Sequence, residues 1–90
     1  MNSRTIEPFW KLYAALPRDI QRLAGKAFVL FEADPGHPSL QFKVVNERRR
    51  IWSARITDDY RVLGFRDGAD MTWFFIGSHA DYDQILRRFR

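Results

Sequence analysis

The sequence predicts an α+β domain. An N-terminal helical hairpin is expected to pack on a twisted, mainly antiparallel sheet of three to four strands, and a short helix ends the chain. Two observations predict this class: apolar residues recur at helical spacing up to about residue 33, and apolar and polar residues alternate in β-type runs from residue 40 onward. The chain has 90 residues, the length of one domain, so we expect residues 1–90 to form a single domain.

The first half of the chain predicts two helices joined at Leu16–Pro17. Apolar residues lie at the i, i+3, i+4, i+7 positions of a first helix: Phe9, Leu12, Tyr13 and Leu16. Pro17 interrupts this stripe and can begin a second helix. The same spacing continues there at Ile20, Leu23, Ala24, Ala27, Leu30 and Phe31. The second helix ends at Asp34–Pro38, because proline cannot continue a helix.

The second half of the chain predicts strands. Ile51–Ile56 and Tyr60–Phe65 form a hairpin around an aspartate-rich turn, and Met71–Gly77 follows a turn of the Asp-Gly type. Because Met71–Gly77 is apolar on both faces, we expect it to be an interior strand. Phe42–Val45 fits either a short strand or an extended loop. Met1–Glu7 is a poor strand, so the sequence leaves open whether an N-terminal edge strand forms.

The composition excludes several classes of protein. The chain has no cysteine, which rules out disulfides, thiolate metal sites and a cysteine nucleophile. It contains no apolar run long enough to span a membrane, and its first residues are too polar for a signal peptide. His37 and His79 lie too far apart in sequence to suggest a metal site. We therefore expect a cytoplasmic protein with no cofactor, no metal and no membrane partner.

Positive charge is concentrated in the middle of the chain. The net charge is +4, and residues 42–66 alone carry seven basic and three acidic side chains. The densest part is the run Arg48–Arg50, preceded by Lys43. These four residues are the candidate nucleic-acid contacts, because Lys and Arg neutralise backbone phosphates. Two alternatives remain: the run binds the acidic segment of a protein partner, or it is a solvated surface.

His79 is the first candidate for chemistry. It lies where the last strand meets the last helix, after Ser78, a candidate N-cap residue. The N–H groups at a helix start favour an anion, and imidazole, with an ordinary pKa of about 6.5, suits general acid or base catalysis. Asp81 and Asp83 are candidates to orient the ring, or simply acids at a helix start. The alternative for His79 is a residue that only caps or packs.

Arg55, Arg61 and Tyr82 complete the candidate catalytic set. The two arginines lie on adjacent predicted strands, and two guanidinium groups can hold a scissile phosphate and stabilise its developing charge. The alternative is that they form surface ion pairs with nearby aspartates. Tyr82 can stack on a base or donate a proton, but it shares a helical stripe with Ile85 and Leu86, so it also fits a core position.

Two motifs resemble the RelE/ParE superfamily of bacterial type II toxins. The first is a hairpin with Trp-x-x-Arg-Ile on one strand and Tyr-Arg-Val on the next, at residues 52–56 and 60–62. The second is Phe-Ile-Gly-Ser-His-x-x-Tyr at residues 75–82. The order of helices and strands and the Leu-Pro between the helices are also similar to that superfamily. The resemblance covers nearly the whole chain.

The resemblance implies a toxin that a cognate antitoxin protein neutralises. In the RelE-like branch, such a toxin is an endoribonuclease, an mRNA interferase that inhibits translation by cutting mRNA on the ribosome. It uses the 2′-hydroxyl as nucleophile and needs no metal. Arg61 then matches a phosphate-contacting arginine, Arg55 a neighbouring basic position, His79 the acid or base, and Tyr82 a stacking or proton-donating group. The ParE-like branch implies instead a non-enzymatic inhibitor of DNA gyrase. A third possibility is a small basic nucleic-acid-binding domain without toxicity.

Overall fold

A computed structural model describes residues 1–89, and its secondary structure has the predicted α+β class. The described residues form five strands, three α-helices and one short 3-10 helix. In chain order these are β1 (Asn2–Thr5), α1 (Glu7–Ala14), α2 (Arg18–Ala33), the 3-10 helix (Pro38–Leu40), β2 (Lys43–Asn46), β3 (Ile51–Thr57), β4 (Tyr60–Asp67), β5 (Asp70–Ser78) and α3 (His79–Arg88).

The strands form one mixed sheet in the order β1-β5-β4-β3-β2. It is one strand larger than the sequence predicted, because β1 pairs in parallel with β5, from Asn2 opposite Asp70 to Thr5 opposite Trp73. The remaining pairs are antiparallel, as predicted. The N-terminal edge strand therefore does form. The segment that fitted either a strand or a loop forms β2, which pairs with β3 at the opposite edge.

The two N-terminal helices begin at their prolines and α2 ends where the sequence predicted, but α1 ends at Ala14, so Leu16 lies in the connection instead of on its stripe. Pro8 lies in the first turn of α1, and Pro17 is the N-cap residue of α2. The Gln21 side chain donates a hydrogen bond to the Tyr13 carbonyl oxygen over 3.0 Å, which joins the helices near their connection. Leu12, which was predicted to face the core, is instead 38% exposed, because α1 buries mainly Phe9.

Each face of the sheet carries its own core. The helical hairpin covers the face that contains Ala54, Met71 and Trp73. Phe31 of α2 meets Trp73 edge to face, with ring centroids 5.3 Å apart. The helix α3 covers the other face, where Tyr82 packs in a second cluster. The other buried members of that cluster are Ile51, Leu63 and Phe75.

An irregularity in β5 places two consecutive phenylalanines on the same face of the sheet. Leu63 lies opposite Phe75, but the next residue, Gly64, lies opposite Trp73, so Phe74 is an extra residue in β5. A bulge of this kind shifts the alternation of side chains between the faces. Phe74 and Phe75 consequently both pack on the α3 side, whereas Trp73 and Ile76 pack under the helical hairpin. The interior position predicted for this strand is confirmed, since β1 and β4 flank it.

Candidate active site

The first helical residue of α3 is His79, and two hydrogen bonds fix this helix start. The Ser78 hydroxyl accepts from the backbone N–H of Asp81 over 3.2 Å, so Ser78 is the predicted N-cap. The backbone N–H of His79 donates to the Asp59 carbonyl oxygen over 2.7 Å. This second bond joins the helix start to the turn between β3 and β4, the two strands that carry the candidate arginines.

The imidazole of His79 is oriented by Asp83, one helical turn further along α3. Its Nδ1 lies 3.2 Å from Asp83 Oδ2, and the side chain is 48% exposed. This ion-pair contact keeps the Nδ1 side of the ring toward the carboxylate. The other nitrogen, Nε2, has no hydrogen-bond partner within residues 1–89. Asp83 therefore holds the ring with Nε2 available for proton transfer, whereas Asp81 takes part in the cap through its backbone.

Arg61 braces the β3–β4 turn from the start of β4. Its Nη1 donates to the carbonyl oxygens of Thr57, of Asp58 over 3.3 Å and of Tyr60 over 3.1 Å. All three bonds use one nitrogen, so the remaining N–H groups of the guanidinium are free to donate to an anion. No carboxylate within residues 1–89 forms an ion pair with Arg61.

Arg55 lies opposite Arg61 in the hairpin, but its charge is already paired. Its Nη2 is 2.6 Å from Asp58 Oδ1, and its Nη1 donates to the Ser39 carbonyl oxygen over 3.4 Å. The hydrogen bond from Arg55, then its charge and that of Arg61, hold the pKa of the Asp58 carboxyl below the ordinary 3.8. Asp58 is therefore ionised at neutral pH, and a phosphate must compete with it for Arg55.

Tyr82 occupies the core position that the sequence left open. The residue is 7% exposed and packs in the second core cluster with Leu63 and Phe75. Its ring is tilted against the imidazole of His79, with centroids 5.3 Å apart. In this conformation the ring supports the histidine from the core side and presents little surface to a base.

The structure separates the basic run from this site. Arg48–Arg50 lie in the turn before β3, whereas Arg55, Arg61 and His79 lie at or beyond the other end of the sheet. The seven residues of β3 span roughly 20 Å between the two ends. Lys43 is exposed at the start of β2, opposite Ser53, part of the way along the sheet.

An apolar groove that sequence reasoning missed lies between the helical hairpin and the sheet. It encloses about 280 Å³, and its lining includes Phe9, Tyr13, Phe28, Phe31, Ile56 and Trp73. Trp10 and Phe28 remain exposed at its edges. Two buried polar atoms on its walls, Ser3 Oγ and Trp73 Nε1, have no hydrogen-bond partner within the described residues. The sequence did contain one signal of this groove: Phe28 and Val29 are apolar but fall outside the predicted stripe of α2, which indicates an apolar surface that the core does not cover.

Two further properties of residues 1–89 bear on the kind of site. No helix among them is long and apolar enough to cross a membrane. No group of three or more histidine or acidic side chains in that range is arranged to hold a metal ion.

Comparison with known proteins places the chain in a family. A family model described as a ParE-like toxin domain matches residues 18–84, most of the chain. The chain belongs to the ParE-like toxin family. The predicted resemblance to the RelE/ParE superfamily is therefore confirmed, and the chain is a toxin of that superfamily. No curated protein sequence matches the chain significantly.

Solved structures of toxins share the fold of this family member. A YoeB/ParE toxin from Agrobacterium tumefaciens superposes with a TM-score of 0.66 at 14% identity, covering 88% of this chain and 99% of the other. A copper-bound mutant toxin from Helicobacter pylori superposes with a TM-score of 0.60 at 14% identity, covering 90% of this chain and 97% of the other. The toxin–antitoxin complex RelBE2 from Mycobacterium tuberculosis superposes with a TM-score of 0.59 at 19% identity, covering 87% of this chain and 96% of the other. At these identities the likeness concerns the fold alone.

Proposed function

We propose that this type II toxin cuts mRNA on the ribosome, with the 2′-hydroxyl of the RNA as nucleophile. The observation that carries the proposal is the placement of His79. Its backbone is bonded to the β3–β4 turn, and its ring is held by Asp83. A group that only caps a helix needs no orienting carboxylate and no free Nε2. A proton-transfer group needs both, because proton transfer requires hydrogen-bond reach in a fixed geometry.

The proposed reaction exchanges one bond at phosphorus for another. Nε2 of His79 takes the proton of the 2′-hydroxyl, the 2′-oxygen bonds to phosphorus, and the bond from phosphorus to the 5′-oxygen breaks. The imidazolium can return the proton to the departing 5′-oxygen, which leaves a 2′,3′-cyclic phosphate and a 5′-hydroxyl. The free N–H groups of Arg61 stabilise the charge that develops on the phosphate oxygens. Arg55 can add a second contact once the phosphate displaces Asp58.

Roles for the remaining predicted residues follow from their positions. Tyr82 supports the imidazole through its buried ring. Lys43 and Arg48–Arg50 contribute affinity for the RNA or the ribosome rather than chemistry, because the distance from His79 excludes a contact with the same phosphate.

The cognate antitoxin is the proposed protein partner. A structural relative of this chain, RelBE2, is a toxin–antitoxin complex. The apolar groove between the helical hairpin and the sheet offers such a partner a hydrophobic docking surface with Trp10 and Phe28 at its edges. Apolar side chains of an antitoxin would fill the groove.

Inhibition of DNA gyrase without cutting nucleic acid is the second candidate. Two observations favour it: Tyr82 is in the core rather than at the surface, and Arg55 is paired with Asp58. Both reduce the number of groups that this end of the sheet offers to RNA.

The two candidates predict different effects of the purified chain on ribosome-bound mRNA and on DNA gyrase. The proposed toxin should cut mRNA on programmed ribosomes, leave a 2′,3′-cyclic phosphate, and leave supercoiling by gyrase unchanged. Loss of supercoiling with intact mRNA would establish the second candidate and remove the first.

A further inference from the structure

Three phenylalanine rings form a compact group on the α3 side of the sheet, at the end opposite His79. Phe65 and Phe74 stack with centroids 4.5 Å apart and planes 23° apart. Phe89 meets their edges at 6.2 Å and 5.7 Å. The bulge in β5 brings Phe74 to this face, and Phe65 remains 38% exposed. Phe65 therefore exposes part of a three-ring apolar patch rather than an isolated side chain, and contiguous patches of this kind mark candidate binding sites.

One cationic side chain lies against this aromatic group, and others lie on the segments beside it. The Arg49 guanidinium carbon lies 5.7 Å from the centroid of Phe89. Asn46 joins the two segments: its Nδ2 donates to the Phe89 carbonyl oxygen over 2.9 Å, and its Oδ1 accepts from the Arg49 N–H over 3.0 Å. The end of α3 is thereby held against the turn that carries the basic run. Arg87 and Arg88 come from that helix end.

These arginines are available to a ligand. Arg48, Arg49, Arg87 and Arg88 are exposed, and no carboxylate within residues 1–89 pairs with any of them. Arg50 differs, because it lies 3.7 Å from Asp67. We call the surface made by Phe65, Phe74, Phe89, Arg48, Arg49, Arg87 and Arg88 the distal surface.

We propose that the distal surface binds single-stranded RNA through its phosphates and one unpaired base. Arginines along a strand neutralise phosphates, and an exposed ring next to them gives a base a face on which to stack. A duplex keeps its bases paired and cannot use the ring. The proposal goes beyond the cutting chemistry, because binding here needs neither His79 nor a ribosome. A strand that spans β3, roughly 20 Å, could contact both ends of the sheet.

The test measures the anisotropy of a labelled, unstructured oligouridylate titrated with the full chain. Arg49→Gln combined with Arg87→Gln should weaken binding and flatten its dependence on salt, since fewer counterions are released. The matched control is Arg18→Gln combined with Arg22→Gln on α2, whose arginines are also exposed. Equal effects of the two pairs would mean that the chain binds RNA by net charge, which overturns the proposal.

The stacking contact is tested at Phe65. Phe65→Ala should weaken oligouridylate binding roughly fivefold or more. Phe65→Leu keeps apolar bulk against Phe74 but removes the ring, so it should lose affinity without a change in melting temperature. Leu12→Ala is the control, because Leu12 is equally exposed at 38% and lies outside the distal surface.

Two further results would overturn the proposal. If an RNA duplex binds as tightly as the oligouridylate and Phe65→Leu has no effect, the surface binds phosphates only. If oligoglutamate displaces the RNA at equal charge concentration with the same sensitivity to Phe65, the surface fits an acidic peptide. Tight binding of the oligouridylate, together with weak binding of the RNA duplex and of oligoglutamate, would support the assignment.

Discussion

At the scale of single residues, the imidazole of His79 depends on a carboxylate one helical turn away. Asp83→Ala removes the carboxylate that lies 3.2 Å from Nδ1, so the ring can rotate and Nε2 no longer has a fixed direction. A misplaced catalytic group can cost up to about a hundredfold in rate. We therefore predict a fall of about ten- to a hundredfold in the single-turnover cutting rate at saturating ribosomes.

The control for that change is Asp81→Ala on the same helix, since the Asp81 side chain makes no contact with the imidazole. Its cutting rate should stay within about twofold of wild type. Equal losses in the two variants would show that the acidic helix start matters only for its charge.

The two candidate arginines should contribute unequally. Arg61 has free N–H groups and no paired carboxylate, so Arg61→Ala should lower the cutting rate roughly a hundredfold or more. Arg55→Ala should lower it less, because Arg55 is already paired with Asp58, whose carboxyl pKa the hydrogen bond from Arg55 lowers. The measurement is the single-turnover rate of each variant, with the melting temperature as a check, since Arg61 also braces the turn. A larger loss for Arg55→Ala would reverse the assignment.

At the scale of elements, the bulge between β4 and β5 has a steric requirement at Gly64. A Cβ there would lie 2.6 Å from Met71 Cε, 2.8 Å from Trp73 Cε3 and 3.0 Å from the Thr72 carbonyl oxygen. The Met71 methyl group can move, but the indole ring and the backbone cannot do so without disturbing the core. Gly64→Ala should therefore reduce the free energy of unfolding by about 1–3 kcal/mol.

Gly25→Ala in α2 is the opposite case and serves as the control for Gly64→Ala. No atom lies within 4 Å of the Cβ it would add, so the helix should gain about 0.5–1 kcal/mol of stability. Denaturant unfolding of both variants measures the two changes. A stabilised Gly64→Ala protein would show that the bulge can relax and that the close packing described here is not required.

The elements that the sequence predicted are those whose cause is local. The helix α2 begins after Pro17 and ends before Asp34–Pro38, and Ser78 caps α3. Proline geometry and a side-chain hydroxyl set these limits because they act on neighbouring residues. The strand β1 was left open because its polar residues form a strand only when β5 supplies hydrogen-bond partners from the other end of the chain. The exposure of Leu12 was missed for a related reason: the position of α1 on the sheet decides which part of its stripe is buried.

The candidate site was predictable in part for the same physical reason. Arg55 and Arg61 came together because a tight hairpin sets them opposite each other, and His79 followed from the strand before it. The sequence could not choose between Asp81 and Asp83, because the ring direction of His79 decides which carboxylate it meets. The burial of Tyr82 and the distance of Arg48–Arg50 from the site depend on how α3 and the strands pack.

At the scale of the whole molecule, the proposed activities lie on separate surfaces. Phe28→Glu puts a charge into the apolar groove without changing either end of the sheet. Cells that express this variant together with the cognate antitoxin should stop growing, because burying the carboxylate opposes complex formation. Val29→Glu is the control: it lies on the same helix, is more exposed and does not line the groove, so the antitoxin should still neutralise it. Growth of both strains would place the antitoxin elsewhere.

The most direct test of the account is the cutting rate of His79→Gln on programmed ribosomes, measured with its melting temperature on the same sample. Glutamine keeps a polar side chain at the exposed helix start but cannot transfer a proton, so we predict an unchanged melting temperature and a loss of roughly a hundredfold to ten thousandfold in rate. His37→Gln, at the chain's other histidine, should cut normally. A His79→Gln protein that cuts at the wild-type rate would contradict the account.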